Sequence, residues 1–240
     1  MDHSPERFRD LTLDAFVGRL ASPEPVPGGG SASAVAASLA AGLVAMVAAL
    51  SENRPRYIMY KEVHQRTRAA GNELADRLLR IADEDSASYT AYSAAMKLPR
   101  ETADEQTART AAVQAAARVA AEVPLRCVEA CLEIVEAAEL LAARCNVNAS
   151  SDLDVAALLA EGAARGAAAN VLVNLPAIGD EEWGTEATRR VTELMVRISS
   201  LAATTRAVVA SGELRAPVGS PPVGTPSGTP SGTPAGTPLG

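Results

Sequence analysis

The sequence predicts an all-α protein, a single-domain helical bundle of about six to seven helices. Three observations point there. Apolar residues make up 48% of the 240 residues and alanine is prominent among them. Aromatics are only 3%, whereas strands draw on aromatic and β-branched side chains and helices favour alanine. Between the Pro and Gly breaks, apolar residues recur at helical spacing. A chain of this length can bury a sizeable core. Its formal net charge of −7 leaves no basic face for nucleic acid, so no nucleic-acid partner is expected.

The first element is short. Leu13, Phe16, Val17 and Leu20 share one helix face, and the helix stops near Ser22. Then comes "SPEPVPGGGSASAVAASLAAGLVAMVAAL", three glycines at the mouth of an apolar run. The run approaches bilayer length, but it is mostly Ala, Ser and Gly and lacks flanking basic clusters. Several acids and no basic n-region precede it, unlike a signal peptide. The expectation is a core helix whose small side chains let neighbours come close, and no membrane partner.

After "SENRPRY" a long helix is expected from about 57 to 96. Leu74, Leu78 and Ile81 form its apolar face, and the same spacing continues to Asp85, Tyr89 and Tyr92. Asp83 falls on another side and can face water. An acid on a buried stripe needs a cation, a hydrogen bond or a ligand. Asp85 is therefore either half of a structural salt bridge or a functional carboxylate. Pro99 ends this helix, and Thr102 with Glu105 forms a capping box for the next. Lys97 sits in the loop between. It is one of two lysines, and its charge can be tuned where that of arginine cannot.

Two helices are then expected, 102 to 122 and 124 to 143, with Pro124 at the first position of the second. Glu129, Glu133, Glu136 and Glu139 would line a solvated outer face. Ser151 and Asp154 suggest another capping box, with Asp152 at the positive helix end, opening a helix from about 152 to 174. On it Gly162, Gly166, Asn170 and Asn174 recur every four residues, as a tight helix crossing or a flat ligand would require. A last helix spans about 180 to 212, with Val191, Leu194, Met195, Ile198 and Leu201 at core spacing. The domain is placed at 1–215. Residues 216–240, a Thr/Pro/Gly repeat with almost nothing to bury, form an expected disordered tail.

Cys127, Cys131 and Cys145 are an odd set, unlike a secreted disulfide scaffold. They read as small buried thiols of a cytoplasmic protein. With only His3 and His64 as imidazoles, no metal site is expected. "PVPGGGS" lacks the lysine of a phosphate loop and the preceding strand of a dinucleotide site. It suits a turn that feeds amides into a helix N-terminus, where an anionic or carbonyl-bearing ligand can sit.

In order along the chain, "LTLDAFVGRLASPEPVPGGGSASA", "DEDSASYTAY" with "KLP", "VPL", and "NVNASSDLDVAALLAEGAARGAAANVLVNL" resemble the cyclodeaminase/cyclohydrolase family of folate enzymes. The resemblance covers about residues 11 to 210. It implies an all-helical subunit that forms a homodimer and acts on the one-carbon unit between N5 and N10 of tetrahydrofolate. The folate derivative would be the substrate, with no tightly bound cofactor. The activity expected first is formimidoyltetrahydrofolate cyclodeaminase, which closes 5-formimidoyltetrahydrofolate to 5,10-methenyltetrahydrofolate and releases ammonia. Methenyltetrahydrofolate cyclohydrolase and a non-catalytic folate-binding helical protein are the alternatives.

By motif position, the resemblance casts Asp85 as the acid/base or electrostatic group and Lys97 as proton donor or glutamyl-tail contact. Asn146, Asn170 and Asn174 would orient the pterin. Gly28, Gly29 and Gly30 would let main chain approach it, with Ser31 and Asp152 in the substrate-binding set. Where the family often has a lysine-rich turn, this chain has "NRPRY", with Arg54 and Arg56 keeping the charge.

Overall fold

The structure, a computed structural model, describes residues 7–218. Among them are six α-helices and no strand: α1 Leu13–Leu20, α2 Gly29–Ser51, α3 Lys61–Met96, α4 Ala103–Leu141, α5 Ser150–Asn174 and α6 Glu181–Ser211. Short 3-10 turns at Phe8–Asp10, Pro55–Tyr60, Val147–Ala149 and Leu175–Ala177 join or precede them. Residues 219–240, most of the expected tail, lie outside the described part. Just before them, Arg144 Nε donates to the carbonyl of Ala216 at 3.0 Å.

The apolar helix is central. α2 packs against α3, α4 and α5, and Ala34, Ala37, Ala40, Ala41, Val44 and Val47 are wholly buried along it. Small side chains bring the helices close. A Cβ at Gly71 of α3 would lie 2.7 Å from the carbonyl oxygen of Ala41 on α2, so α3 crosses α2 almost backbone to backbone. By length and composition two segments, Gly29–Ser51 and Val147–Ala177, are apolar enough to cross a membrane; 56% and 44% of their most apolar windows are buried in this bundle. Cys127, Cys131 and Cys145 all lie in the core.

Four expectations are corrected. Ala103–Leu141 is one helix, not two, because Pro124 lies inside α4 rather than at a start. A proline there removes one helical N–H, leaving the Ala120 carbonyl, four residues back, without its usual donor. Asn174 of α5 supplies one, Nδ2 to Ala120 O at 2.9 Å, and the helix continues.

Ser151 and Asp154 make no capping box. A 3-10 turn capped by the Asn146 side chain runs directly into α5, which has Ala149 at its N-cap. Asp154 lies 3.2 Å from Arg206 of α6. The glutamate row of α4 is a seam of ion pairs rather than a merely solvated face. Glu129 meets Arg190, Glu133 meets Arg77, Glu136 meets Arg197 and Glu139 meets Arg215. Asp83, expected to face water, is half-buried and accepts from the Phe8 N–H at 2.7 Å. The amino-terminal segment is held there, with Phe8 edge-on to Phe16 of α1.

Candidate active site

At one end of the bundle, a cleft of about 270 Å³ opens between the start of α2, the middle of α3 and the end of α5. Gly28, Gly29 and Gly30 form its floor, Asp85, Tyr89 and Tyr92 one wall, and Asn170 and Asn174 the opposite wall. The heptad arithmetic of α3 explains one side. Asp85, Tyr89 and Tyr92 follow Ile81 on the same face, and along it the face passes from core into cleft.

Among the described residues Asp85 is the only carboxylate lining this cleft, and among them it has no ion-pair partner. Its Oδ2 accepts from Ser31 Oγ at 2.9 Å. Burial pushes its pKa up, and the Ser31 hydroxyl and backbone amide pull partly against that. The salt-bridge reading of Asp85 is thus replaced by contact with a helix N-terminus. Gly28, the N-cap of α2, has no side chain to cap the first turn, so the free amides and positive end of the helix meet Asp85 instead.

The glycines divide the work. A Cβ at Gly30 would overlap Cγ and both oxygens of Asp85, so the close approach made there is to this carboxylate. Gly29 is exposed, with Asn170 Nδ2 3.5 Å from where its Cβ would stand. Gly166 gives room to Ser33 of α2, while a Cβ at Gly162 would meet nothing. The Gly/Asn row of α5 is therefore a helix crossing for only part of its length.

Asn170 donates through Nδ2 to the Gly166 carbonyl at 2.9 Å, and Asn174 donates to Ala120 and Asn170 carbonyls at 2.9 and 2.8 Å. Carbonyl oxygens only accept, so these contacts fix which end of each amide is nitrogen. Both Oδ1 atoms remain to accept from a ligand's N–H groups.

Other expected site residues lie elsewhere. Ser31 is fully buried behind Asp85, which makes it a support for the acid and keeps it from touching a ligand. Lys97 is exposed at the C-cap of α3, about 18 Å along the helix from Asp85 by helical rise. It is not brought to the carboxylate. Asn146 and Asp152 sit at the other end of α5, about 36 Å of helix from Asn174. Asn146 is buried there, its side chain accepting from Asn148 N–H and its N–H donating to Ser51 Oγ. Tyr89 and Tyr92 were in the sequence stripe but were not singled out; their place beyond the acid on one helical face was the available signal.

The likenesses to known proteins place this all-helical chain among enzymes of the cyclodeaminase/cyclohydrolase kind. The family model described as Formiminotransferase-cyclodeaminase matches residues 12–193, and the chain belongs to that family. It is 33% identical over 190 residues to methenyltetrahydrofolate cyclohydrolase of Methylorubrum extorquens, covering 79% of this chain and 91% of that protein. It is 34% identical over 183 residues to formimidoyltransferase-cyclodeaminase of Gallus gallus, covering 76% of this chain and 34% of that protein. The chain thus spans about a third of the bifunctional relative. The crystal structure of formiminotetrahydrofolate cyclodeaminase from Thermotoga maritima superposes with a TM-score of 0.77 at 25% identity, covering 85% of this chain and 98% of that one.

Proposed function

We propose that the protein is a formimidoyltetrahydrofolate cyclodeaminase and that Asp85 moves the proton. The observation that carries this is a half-buried carboxylate, with no ion-pair partner among the described residues, facing a cleft whose other polar side chains are Ser88, two tyrosines and two asparagines. A formimidoyl group is an amidinium cation, and the methenyl product is also cationic. Each finds an uncompensated negative charge here.

In ring closure N10 attacks the amidine carbon and the N10–C bond forms. Asp85 takes the N10 proton and returns it to the amino nitrogen. The C–N bond then breaks, releasing ammonia and leaving the methenyl bridge. One carboxylate with a raised pKa can serve both steps, because it is neither a very weak base nor a very weak acid. The chemistry exchanges only a proton and an amine, so it calls for no bound cofactor. At about 270 Å³ the cleft is below the usual range for whole-ligand pockets; it suits the pterin and its bridge, with the glutamyl tail passing outside toward the Lys97 end of α3.

The Methylorubrum extorquens relative favours a second reading, opening of 5,10-methenyltetrahydrofolate by water, with Asp85 activating the water and stabilising the cation. Incubation with each substrate distinguishes them. Methenyl absorbance should appear with equimolar ammonia from 5-formimidoyltetrahydrofolate. Turnover of methenyltetrahydrofolate alone would replace the first reading with the second, and binding of both without turnover would leave a folate-binding protein.

We also infer that a second copy covers the outer face of α2. Leu39, Met46 and Leu50 are exposed along it, with Gly42 and Leu43 between them at helical spacing and no charged side chain in the helix. Packed beside it, α5 exposes Val155, Leu158 and Leu172. An uncharged apolar face of this extent marks an interface, and a two-fold dimer matches one face to itself. Sedimentation should give twice the chain mass, falling to one chain in Leu39→Glu/Met46→Glu. A monomeric wild type, or flotation with neutral lipid vesicles, would reject the dimer.

A further inference from the structure

Ser31 stands between two acceptors. Its Oγ lies 2.9 Å from Asp85 Oδ2 and 3.1 Å from the carbonyl oxygen of Ala82. It is wholly buried. A serine hydroxyl has one proton to donate and lone pairs with which to accept, so it cannot donate to both oxygens at once. The Ala82 carbonyl can only accept. A carboxyl group accepts when ionised and gains a donor when neutral. The Ser31 proton can therefore point to Ala82 only when Asp85 is neutral and donates in its place.

We propose that Ser31 is a positioning residue that serves both protonation states of Asp85 by turning its hydroxyl. With Asp85 ionised, Ser31 donates to Oδ2. When Asp85 takes a proton from substrate on Oδ2, the new O–H turns about the C–O bond to donate to Ser31 Oγ, and the Ser31 proton swings to the Ala82 carbonyl; the O–H turns back to return the proton. The serine keeps its own proton throughout, no bond to Oγ breaks, and the heavy atoms need not move. Ala82 and Asp85 lie one turn apart on α3, and Gly30 lets α2 approach closely enough for one hydroxyl to reach both. Without this rotation an O–H on Oδ2 turned away from the cleft would meet the Ser31 proton and lack an acceptor, which is costly away from water. The titratable groups lining the cleft with Asp85 are Tyr89 and Tyr92 of α3; α2, α4 and α5 contribute only Gly, Ala, Val and Asn.

The inference rests on Asp85 as the proton carrier, and the test separates the two claims. Carboxyl carbons of ¹³C-aspartate-labelled protein are titrated, with Asp85 assigned by its absence in Asp85→Asn. Ser31→Ala removes both the donor to the anion and the acceptor of the neutral acid; the bond to the charged form is the stronger, so the Asp85 midpoint should rise by about one pH unit or less. Ser31→Cys, a weaker donor, should give a smaller rise and is the variant read if Ser31→Ala does not fold. Infrared spectra below the midpoint should show the neutral Asp85 carboxyl band displaced in Ser31→Ala, because its acceptor is gone. The acidic limb of kcat should move with the midpoint.

An unmoved midpoint together with an unmoved neutral band in a folded variant overturns the proposal. So does a moved midpoint with an unmoved neutral band, since Ser31 would then serve the anion alone. If the spectra shift as expected but kcat keeps its pH profile, the rotation of Ser31 stands and the catalytic reading of Asp85 falls.

Discussion

Carboxylates at two places in this bundle are treated in opposite ways. Along the seam where α4 meets α3, α6 and the carboxyl-terminal segment, Glu129, Glu133, Glu136 and Glu139 each have an arginine. In the cleft, Asp85 has none among the described residues and is held by Ser31. The seam pairs are largely exposed, where such pairs contribute about 0–1 kcal/mol. Asp85 is more buried, where an unpaired charge costs more. Arginine is thus supplied where an acid needs it least and is withheld where it would help most. A stabilising cation would lower the proton affinity of Asp85 and repel a cationic one-carbon unit.

The largest test of this contrast is Asp85→Asn. Turnover should fall by about 10²-fold or more, the scale of a lost general acid/base group, while the fold survives. The raised pKa makes a second demand on the same variant. Below about pH 4, where an ordinary Asp is protonated even unfolded, Asp85 contributes its full stabilising share, and that share is lost as pH rises through its raised native value. Asn has no such titration, so near pH 7 the variant should melt no lower than the parent. Thermal unfolding across pH checks this; lowered stability at neutral pH with full activity would return Asp85 to a structural role.

A smaller but still large effect is expected from Gly30→Ala. The added methyl collides with the Asp85 carboxyl group, so acid and helix must part, and turnover should fall about tenfold or more. Gly162→Ala on α5, where a Cβ meets nothing, is the control and should melt slightly higher because alanine favours helix. Next comes Asn174→Ala. It should raise the KM for folate and lower stability by about 1–3 kcal/mol, the cost of an unsatisfied buried carbonyl at Ala120, read by kinetics and denaturant unfolding. The smallest effect belongs to the seam: Glu129→Gln or Glu136→Gln should leave turnover unchanged and cost at most about 1 kcal/mol. A large loss there would erase the contrast.

The helices were legible because their signals are local. The apolar stripe of α3 and the Thr102 capping box depend on neighbours within a turn or two, and both appear in the structure. Asp85 was legible as an acid on an otherwise apolar face. Its partner was not, since nothing near residue 85 in the chain says that the hydroxyl meeting it belongs to residue 31. The glutamate row failed for the same reason: its arginines lie on other elements. Pro124 misled because a proline inside a helix is tolerable only when a distant group serves the freed carbonyl. Asn146 and Asn174 carry the same side chain within one motif, yet one caps a turn and the other lines the cleft, a difference set by the length of α5.

The continuity of α4 through Pro124 also constrains the order in which substitutions can be accepted. Position 174 is tied to position 124 through the single carbonyl of Ala120. A lineage that first replaced Asn174 by an apolar residue would pass through a protein with an orphaned acceptor, whereas one that first replaced Pro124 by alanine would regain the helical N–H and then be free to vary Asn174. The same two changes are costly in one order and tolerated in the other. A stability cycle over Pro124→Ala, Asn174→Leu and the double variant should show this as non-additivity, with the double variant more stable than Asn174→Leu alone.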